Sequence, residues 1–323
     1  MFKKFIWDFK RGDEFYQIPK NIKSEELGYY YFKFKEAEVK AGKNQALIAH
    51  TDENGIPMNR TYIDVKDQEY VYFPISIGQM GLAVFHTYLK TKSSEDKQRF
   101  LKFANWFVNK AAVDDECGVR WLTEVPLPQY KNEGPWQSAF SQSRGISILL
   151  RAHQITGDKK YFDLAQKALK PFTKSVAEGG VTSHTEWGPF YEEYPADEPV
   201  LVLNGHIFSL FGLFDFHRFF PENTLAEELF FAGYNTLINT LPEFDLGYWS
   251  RYNYCKADFY PEIDPATIYY QRLHILQLKV LNKIRYSDSL VYYIKRWQEQ
   301  INLLNFIRAY WKKYKALKYL NKI

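Results

Sequence analysis

The chain has 323 residues, enough for one large domain or two ordinary ones, and 18% of them are aromatic, with 25 tyrosines and 26 phenylalanines. This content excludes a disordered protein and predicts a large packed core, with room for a cleft in which sugar rings stack on aromatic faces. The two cysteines, Cys117 and Cys255, are far apart and exclude a disulfide framework. The net charge of +4 is uneven, because six cations and no acids lie within 308–322.

The N-terminus begins with a basic pair but lacks the apolar core of a signal peptide. The most apolar stretch, 200–220, contains Asn204, His206, Asp215 and His217, which would be costly in lipid. It therefore predicts a buried helix and no membrane span, in a soluble cytoplasmic protein. The basic C-terminal helix predicts a solvated surface or a contact with an anionic polymer or membrane. No nucleic-acid-binding motif accompanies it, so nucleic acid is not an expected partner.

Residues 1–75 are predicted to form a small N-terminal region of β-hairpins. β-branched and aromatic runs interrupted by an Asn-Gly turn are typical of hairpins. The runs lie at 29–32, 45–48, 61–63 and 70–73, and the turn lies at 52–55. Residues 76–323 are predicted to form the catalytic domain.

From residue 76 the apolar pattern has a helical period, and four helix pairs follow at a spacing of roughly 60 residues. The pairs are predicted at 76–92 with 95–112, 136–156 with 159–177, 200–219 with 223–241, and 266–284 with 288–315. Helical hairpins repeated at a fixed period are typical of solenoids and toroids. The sequence thus predicts a mainly α fold, an incomplete (α/α) barrel or toroid lined by the first helix of each pair.

The loops between the pairs are rich in Tyr, Trp, Glu and Arg, where an ordinary linker would contain Ser, Lys and Gly. They lie at 134–137, 187–195 and 247–252. The sequence contains no metal-ligand spacing and no serine-hydrolase, P-loop or dinucleotide-binding motif. Chemistry that depends on Tyr, Glu and Arg, without a metal or cofactor, is therefore expected in these loops.

Glu192 and Glu193 precede Tyr194 in one of these loops, an arrangement that could supply an acid–base group with a raised pKa. The alternative is a solvated turn with a capping glutamate. Arg144 and Arg251 are candidates for binding a carboxylate through bidentate pairs, or are ordinary ion-pair partners.

Tyr248 and Tyr270 are candidate proton carriers, although most of the 25 tyrosines are expected to fill the core. His274 lies one helical turn after Tyr270 on the same face. His274 could therefore belong to the site. The alternative is that it is a core histidine with its hydrogen bonds satisfied in the interior.

Four blocks resemble, in the same order, the C-terminal domain of D-glucuronyl C5-epimerases. They are PISIGQMGL (74–82), WQSAFSQSRGISILLRA (136–152), YEEYPADEPVLVLNG (191–205) and LHILQLKVL (273–281), of which the third is the most specific. These enzymes convert D-glucuronate into L-iduronate in heparan-type polysaccharides. The resemblance implies an isomerase acting on a uronate-containing polysaccharide, without a cofactor, and a homodimer.

The resemblance also implies roles for individual residues. Inversion at C5 requires two acid–bases on opposite faces of the sugar, and these roles fall on Tyr194 and Tyr270. Glu193 would polarise the substrate carboxylate or relay protons, and Tyr248 would assist. The predicted substrate contacts are Arg251, Asn204, Arg144, Gln142 and Trp136.

Three departures from the family pattern accompany the resemblance. Arg144 stands where Gln is usual, and Gln271 stands where a His follows the catalytic Tyr. FDLGYWSRYNY stands in place of the family's Gly/Ser/Thr-rich approach to Tyr248. Two other functions stay open: an α/α-toroid lyase or uronyl hydrolase, which would share the C5 carbanion, and a non-catalytic glycan-binding module.

Overall fold

A computed structural model describes residue 6 and residues 16–37, 50–62, 64–67 and 69–322. The protein is mainly helical with small antiparallel sheets, which confirms the predicted fold class at this level. The free cysteines are both buried.

The first two helix pairs lie close to their predicted positions. They comprise α1 (Pro74–Thr91), α2 (Ser94–Asn109), α3 (Ala139–Thr156) and α4 (Lys159–Lys167). Ser93, Ser138 and Asp158 cap α2, α3 and α4, each with its side chain accepting a backbone N–H of the first turn. Helix α4 is shorter than predicted, because the chain continues after it as 3₁₀ turns around Pro171.

The last two pairs are α5 (Leu203–Phe219) with α6 (Thr224–Phe244), and α7 (Ile268–Ile284) with α8 (Asp288–Glu299). The predicted helix over 288–315 is in fact two helices, because a separate helix α9 (Leu303–Tyr319) follows α8. Asn302 starts α9 by accepting the backbone N–H of Asn305.

In the part of the chain that the structure describes, seven short strands form three small antiparallel sheets. Strands β1 (His50–Thr51), β2 (Pro57–Arg60) and β3 (Tyr70–Val71) form the first, β4 (Ala112–Asp114) and β5 (Gly118–Arg120) the second, and β6 (Thr182–Thr185) and β7 (Gly188–Tyr191) the third. The predicted turn at 52–55 joins β1 to β2, with Gly55 at a φ of +80°. Residues 30–32 are buried and Tyr29 is half-buried, but none of them forms a strand, and the predicted run 45–48 lies outside the described residues.

The first helices of the pairs pack on one another in sequence order, α1 on α3, α3 on α5 and α5 on α7. The second helices pack on their own partners, and α2 and α8 also contact the neighbouring pair. Close approach between the inner helices requires small residues. A Cβ at Gly212 of α5 would come within 2.5 Å of the Ser143 backbone of α3.

The segment 16–36 lies against the inner helices and fills the space between them. Tyr31 stacks on Phe211 of α5 with ring centroids 4.5 Å apart, and the Tyr30 amide donates to His86 of α1. Tyr16 and Tyr269 of α7 share a hydroxyl–hydroxyl hydrogen bond of 3.3 Å. This segment therefore belongs to the same hydrophobic core as the helices.

Asp215 of α5 is the centre of a buried polar cluster in this core. Its carboxylate accepts hydrogen bonds from Tyr31 (2.9 Å), Ser147 (2.7 Å), Arg151 (2.7 Å) and Arg218 (2.7 Å). Burial opposes ionisation, but Arg151 and Arg218 outweigh it and hold the pKa of Asp215 at about 2. These bonds explain how an apolar helix accommodates a carboxylate.

Candidate functional site

The segment between β7 and α5 contains Glu192, Glu193 and Tyr194, and packs against the start of α5. The Tyr191 amide donates to His206 Nδ1 (2.9 Å), which fixes the end of β7 on α5. Glu193 lies against the first turn of α5, where a Cβ at Gly205 would come within 2.4 Å of the Glu193 carboxyl. Only glycine therefore leaves room for this carboxyl group at the helix N-terminus.

The two adjacent glutamates have different partners. Glu192 accepts hydrogen bonds from Ser183 Oγ (2.7 Å) and from the amides of Val200 (3.2 Å) and Leu201 (3.0 Å). Leu201 holds a positive φ of 52°, so Glu192 stabilises an unusual backbone conformation. We therefore assign Glu192 to the architecture of the loop.

Glu193 is 5% exposed and accepts a hydrogen bond from Asn204 Nδ2 at 3.2 Å. Burial raises the pKa of Glu193 to about 7, although hydrogen bonds from Tyr194 and Asn204 lower it. The Asn204 Oδ1 atom is buried and accepts no hydrogen bond from the residues that the structure describes. The carboxyl group can therefore exchange a proton near neutral pH, beside a buried amide oxygen that has no hydrogen-bond partner among the described residues.

Tyrosines from four segments surround Glu193. The Tyr194 hydroxyl is hydrogen-bonded to Glu193 and to Tyr62, which follows β2. Tyr252 and Tyr270 pack with ring centroids 5.1 Å apart, and the charges of both Glu193 and Tyr270 act on Tyr252. Burial, followed by the Glu193 charge, raises the pKa of Tyr194 well above its ordinary value, so its phenol stays protonated.

The predicted pair Tyr194 and Tyr270 thus lies in one cluster with Glu193. The loop 247–252 is held on α7 because the Gln271 side chain accepts hydrogen bonds from the Ser250 amide (2.8 Å) and hydroxyl (2.7 Å). His274 also bonds Ser250, and burial lowers the pKa of His274 to about 3, so it is a neutral core residue.

A second layer of aromatic rings supports Tyr194. Tyr130 stacks on Tyr194 (5.5 Å between centroids) and on Tyr260 (5.4 Å). The Tyr260 hydroxyl donates to Asp264 (3.0 Å), and Lys313 of α9 donates to the same carboxylate (2.6 Å). Lys313 therefore connects the C-terminal helix to the site, although the sequence had predicted only a surface role for the cations of this helix.

The end of the chain is also attached near the site. Lys322 lies 3.5 Å from Asp64, close to Tyr62, and the Lys313 ammonium lies 5.1 Å from the centre of the Tyr252 ring. The side chains of Lys313 and Lys322 are mostly buried, so these two cations are bound to the protein and not free at its surface.

Two other predicted residues lie beside this cluster. Tyr248 packs with Trp249 and Phe306, 3.9 Å below the Arg308 guanidinium, and its hydroxyl has no hydrogen-bond partner within the described ranges. Arg251 donates to the Glu262 carbonyl (2.6 Å) and lies over the Tyr254 ring.

Trp136 and Gln142 belong to the second block of the sequence. Trp136 packs edge-on against Tyr194 (5.5 Å) and donates to the Val125 carbonyl, so it supports the site from the side. Gln142 is fully buried and bonds the backbone of Trp121 (3.1 Å) and Val119 (2.7 Å), away from the tyrosine cluster.

Arg144 is fully buried on α3, in a cage of rings from Tyr30, Phe34, Phe140 and Phe208 at 4.7–5.5 Å. None of its guanidinium nitrogens has a hydrogen-bond partner among the described residues. Burial lowers the pKa of Arg144. Phe208 follows Asn204 by one turn on α5, which puts this cage roughly 6 Å farther along the helix than Asn204.

Sequence reasoning missed Tyr62, Tyr130, Tyr252, Tyr260 and Lys313. Tyr252 belongs to the aromatic loop 247–252, so that loop carried a usable signal. The other four come from segments without a recognisable motif, and only the fold brings them together.

Among the described residues, no group of three or more His, Cys, Asp and Glu side chains could hold a metal ion. Within the same ranges, no helix has the length and apolarity needed to cross a membrane.

A buried carboxyl group among tyrosines, held between helical hairpins, defines the class of site, and comparison with known proteins defines the family. The family model for the D-glucuronyl C5-epimerase C-terminus matches residues 114–299. The chain is 30% identical over 236 residues to the D-glucuronyl C5-epimerase of Caenorhabditis elegans, a match that covers 69% of this chain and 38% of the worm protein. This protein belongs to the D-glucuronyl C5-epimerase family.

An uncharacterised protein of Methanocaldococcus jannaschii is 26% identical over 250 residues, which cover 71% of this chain and 78% of that protein. The chain spans less than two fifths of the nematode enzyme's length, and the family match ends before α9. The contacts that α9 makes with the site therefore lie outside the matched region.

Proposed function

We propose that this protein is a uronate C5-epimerase that converts D-glucuronate residues of an anionic polysaccharide into L-iduronate. The observation that carries the proposal is the buried Glu193, with a pKa of about 7, in contact with Tyr194 and in one cluster with Tyr270. Family membership supports an isomerase. The Glu193 carboxyl group and the tyrosine phenols are the kinds of acid–base group that the reaction needs.

The reaction removes the C5 proton beside a carboxylate and returns a proton to the opposite face. The intermediate carries extra charge on the carboxylate oxygens, which is very unfavourable without neutralisation. A protonated Glu193 would donate a hydrogen bond to this group, and the Asn204 Oδ1 atom, which has no partner among the described residues, would accept one from a sugar hydroxyl.

We assign the two faces to Tyr270 and Tyr194. Because burial keeps Tyr194 protonated, Tyr194 is the proton donor when glucuronate is the substrate. Tyr270 would act as the phenolate in this step, taking the C5 proton while Tyr194 gives up its own. In the reverse direction the roles exchange. Tyr62 and Tyr252, which adjoin these two residues, would complete the proton network.

The other predicted contacts take more limited roles in the proposal. Trp136 would support Tyr194, while Tyr248 and Arg251, which lie in the same loop as Tyr252, would position the neighbouring sugar. Gln142 and Arg144 would act indirectly, by stabilising the packing of the helices that they contact.

A polymer substrate needs an extended surface next to the site. A groove of about 380 Å³ adjoins Trp136 and would bind the hydroxyls of further sugars through its polar side chains. These side chains are Arg120, Lys131, Asn132 and Gln137, with Glu133 and Asp197 beside them. The proposal includes the closure of the four hairpins into an incomplete (α/α) toroid, a cytoplasmic location and a homodimer.

The test is incubation with a glucuronate polymer in D₂O, with C5 deuterium and iduronate measured by NMR. The wild type should incorporate deuterium at C5 and form iduronate. Formation of an unsaturated uronate, seen by ultraviolet absorbance, would instead identify a lyase. Polymer binding without exchange would identify a glycan-binding module.

The tyrosine assignment is tested with Tyr194→Phe and Tyr270→Phe, and Tyr292→Phe on the exposed face of α8 is the matched control. Each site variant should lose inversion by about 10²–10⁴-fold. Tyr194→Phe should still exchange the C5 proton of glucuronate, and Tyr270→Phe that of iduronate. Near wild-type inversion by both site variants would remove these tyrosines from the mechanism.

A further inference from the structure

Helix α9 presents a row of large apolar side chains to solvent. Leu304 is 79% exposed, Ile307 56%, Trp311 58% and Tyr314 42%, and Leu303 is 59% exposed at the start of the helix. We call these five residues the outer face of α9. An ordinary protein surface has single, scattered apolar residues, whereas these five large exposed side chains lie close together on one helix.

The spacing of these residues makes them one continuous stripe. Positions 304, 307, 311 and 314 are separated by three or four residues, which places them on one side of an α-helix. The opposite side is fixed to the protein by Phe306, Ala309, Tyr310 and Ala316, all of which are buried. The stripe therefore cannot turn inward without detaching the helix.

Cations border this stripe on one side. At about 100° per residue, Arg308, Lys312 and Lys315 lie next to Trp311 and Leu304, and Lys318 continues the stripe itself. Arg308, Lys315 and Lys318 are exposed. No Asp or Glu occurs from residue 300 to the end of the chain.

We propose that the outer face of α9 docks on an anionic lipid surface, with the five apolar side chains in the headgroup region and the cations on the lipid phosphates. An apolar stripe with Trp, next to Lys and Arg, is the pattern of helices that lie in a membrane interface. The charge of this face is complementary to anionic lipids, each cation near such a surface adding to the attraction.

Two other occupants fit this face less well. A polysaccharide would stack on Trp311 and Tyr314 but would gain nothing from the aliphatic Leu303, Leu304 and Ile307, which need a hydrocarbon partner. A second copy related by a twofold axis would place the outer face against itself. The cations of the two copies would then face each other, and the helix contains no acid to neutralise them.

The test uses the full chain and vesicles of pure phosphatidylcholine or of phosphatidylcholine with phosphatidylglycerol. Sedimentation with vesicles should show binding to the anionic vesicles only, decreasing with salt. Ile307→Glu should reduce the partition coefficient about tenfold, because it removes an apolar side chain from the contact with lipid and adds a charge that the anionic lipids repel. Val113→Glu is the control, at a residue of similar exposure (58%) on β4.

The location of the contact is tested by tryptophan fluorescence, since Trp311 is one of eight tryptophans. The blue shift on adding anionic vesicles should disappear in Trp311→Phe. Absence of binding, or equal binding by wild type and Ile307→Glu, would overturn the proposal. So would a Trp311 signal with a soluble glucuronate polymer and none with vesicles, or a dimer that Leu304→Glu dissociates in light scattering.

Discussion

Two buried carboxyl groups associated with α5 have opposite electrostatic surroundings. Asp215, near the end of the helix, has two arginines and two hydroxyl donors, which hold its pKa at about 2. Glu193, against the first turn, has an amide and a tyrosine, and burial raises its pKa to about 7. Asn204 and Asp215 are separated by eleven residues, or roughly 16 Å of helix.

Under the proposed function, this difference separates a carboxyl group that contributes to stability from one that transfers protons. A carboxylate paired with two cations is locked in one protonation state and contributes to folding. A carboxyl group that is buried without a cation can change its protonation state near neutral pH, which suits proton transfer. The comparison predicts that the two groups respond in opposite ways to mutation and pH.

The largest expected effect is on catalysis at Glu193. Glu193→Gln keeps the size of the side chain but removes the exchangeable proton, so epimerisation should decrease by about 10²–10⁴-fold. At about pH 5, where Glu193 is protonated in the folded protein, the free energy of unfolding should change little, because the amide can still accept the hydrogen bond from Asn204. Deuterium exchange at C5 and chemical denaturation measure the two quantities. A stability loss without a loss of activity would make Glu193 a structural residue like Glu192.

The second prediction concerns stability at Asp215. Asp215→Asn leaves Arg151 and Arg218 buried without a counter-charge, and should reduce the free energy of unfolding by about 3–5 kcal/mol. Chemical denaturation measures the change. Ser147→Ala, which removes one neutral donor to the same carboxylate, should cost only about 1 kcal/mol. Equal losses for the two variants would argue against the charge pairing as the source of the effect.

The third prediction is a pair of pH dependences with opposite signs. Glu193 has a raised pKa, so its stabilising contribution is complete below its unfolded pKa near 4.5 and is lost as the pH rises through about 7. Asp215 has a lowered pKa, so its contribution is present above about 4 and is lost as the pH falls toward 2. If protonated Glu193 is the active form, kcat should also decrease above pH 7.

Chemical denaturation across pH separates the two groups. Glu193→Gln should abolish its part of the stability slope between pH 5 and 7 and leave the acid limb unchanged. An unchanged slope in this variant would mean that Glu193 does not titrate in that range.

The helices and the site were predictable from the sequence to different extents. Apolar periodicity depends on local burial, so it located the helix pairs. It did not locate the break before α9, which depends on a single cap at Asn302. The YEEYP block identified Glu193 and Tyr194. Lys313 and Tyr62 could not be found this way, because their place in the site depends on contacts between segments far apart in the chain. Arg144 was predicted to bind a carboxylate, yet its side chain contacts aromatic rings.

The smallest expected effect concerns Arg144. Like the arginines around Asp215 it is a buried cation, and like Glu193 it has no hydrogen-bonded counter-charge among the described residues. Arg144→Met has a similar length and removes the cost of burying a charge, while it loses the contacts of the guanidinium with four aromatic rings. These contributions oppose each other, so the free energy of unfolding should stay within about 1 kcal/mol of the wild type. Denaturation and the KM for a glucuronate polymer are the measurements. A tenfold increase in KM with unchanged stability would show that Arg144 acts on the substrate, whereas a loss of 3 kcal/mol or more would show that the cation is a required part of the core.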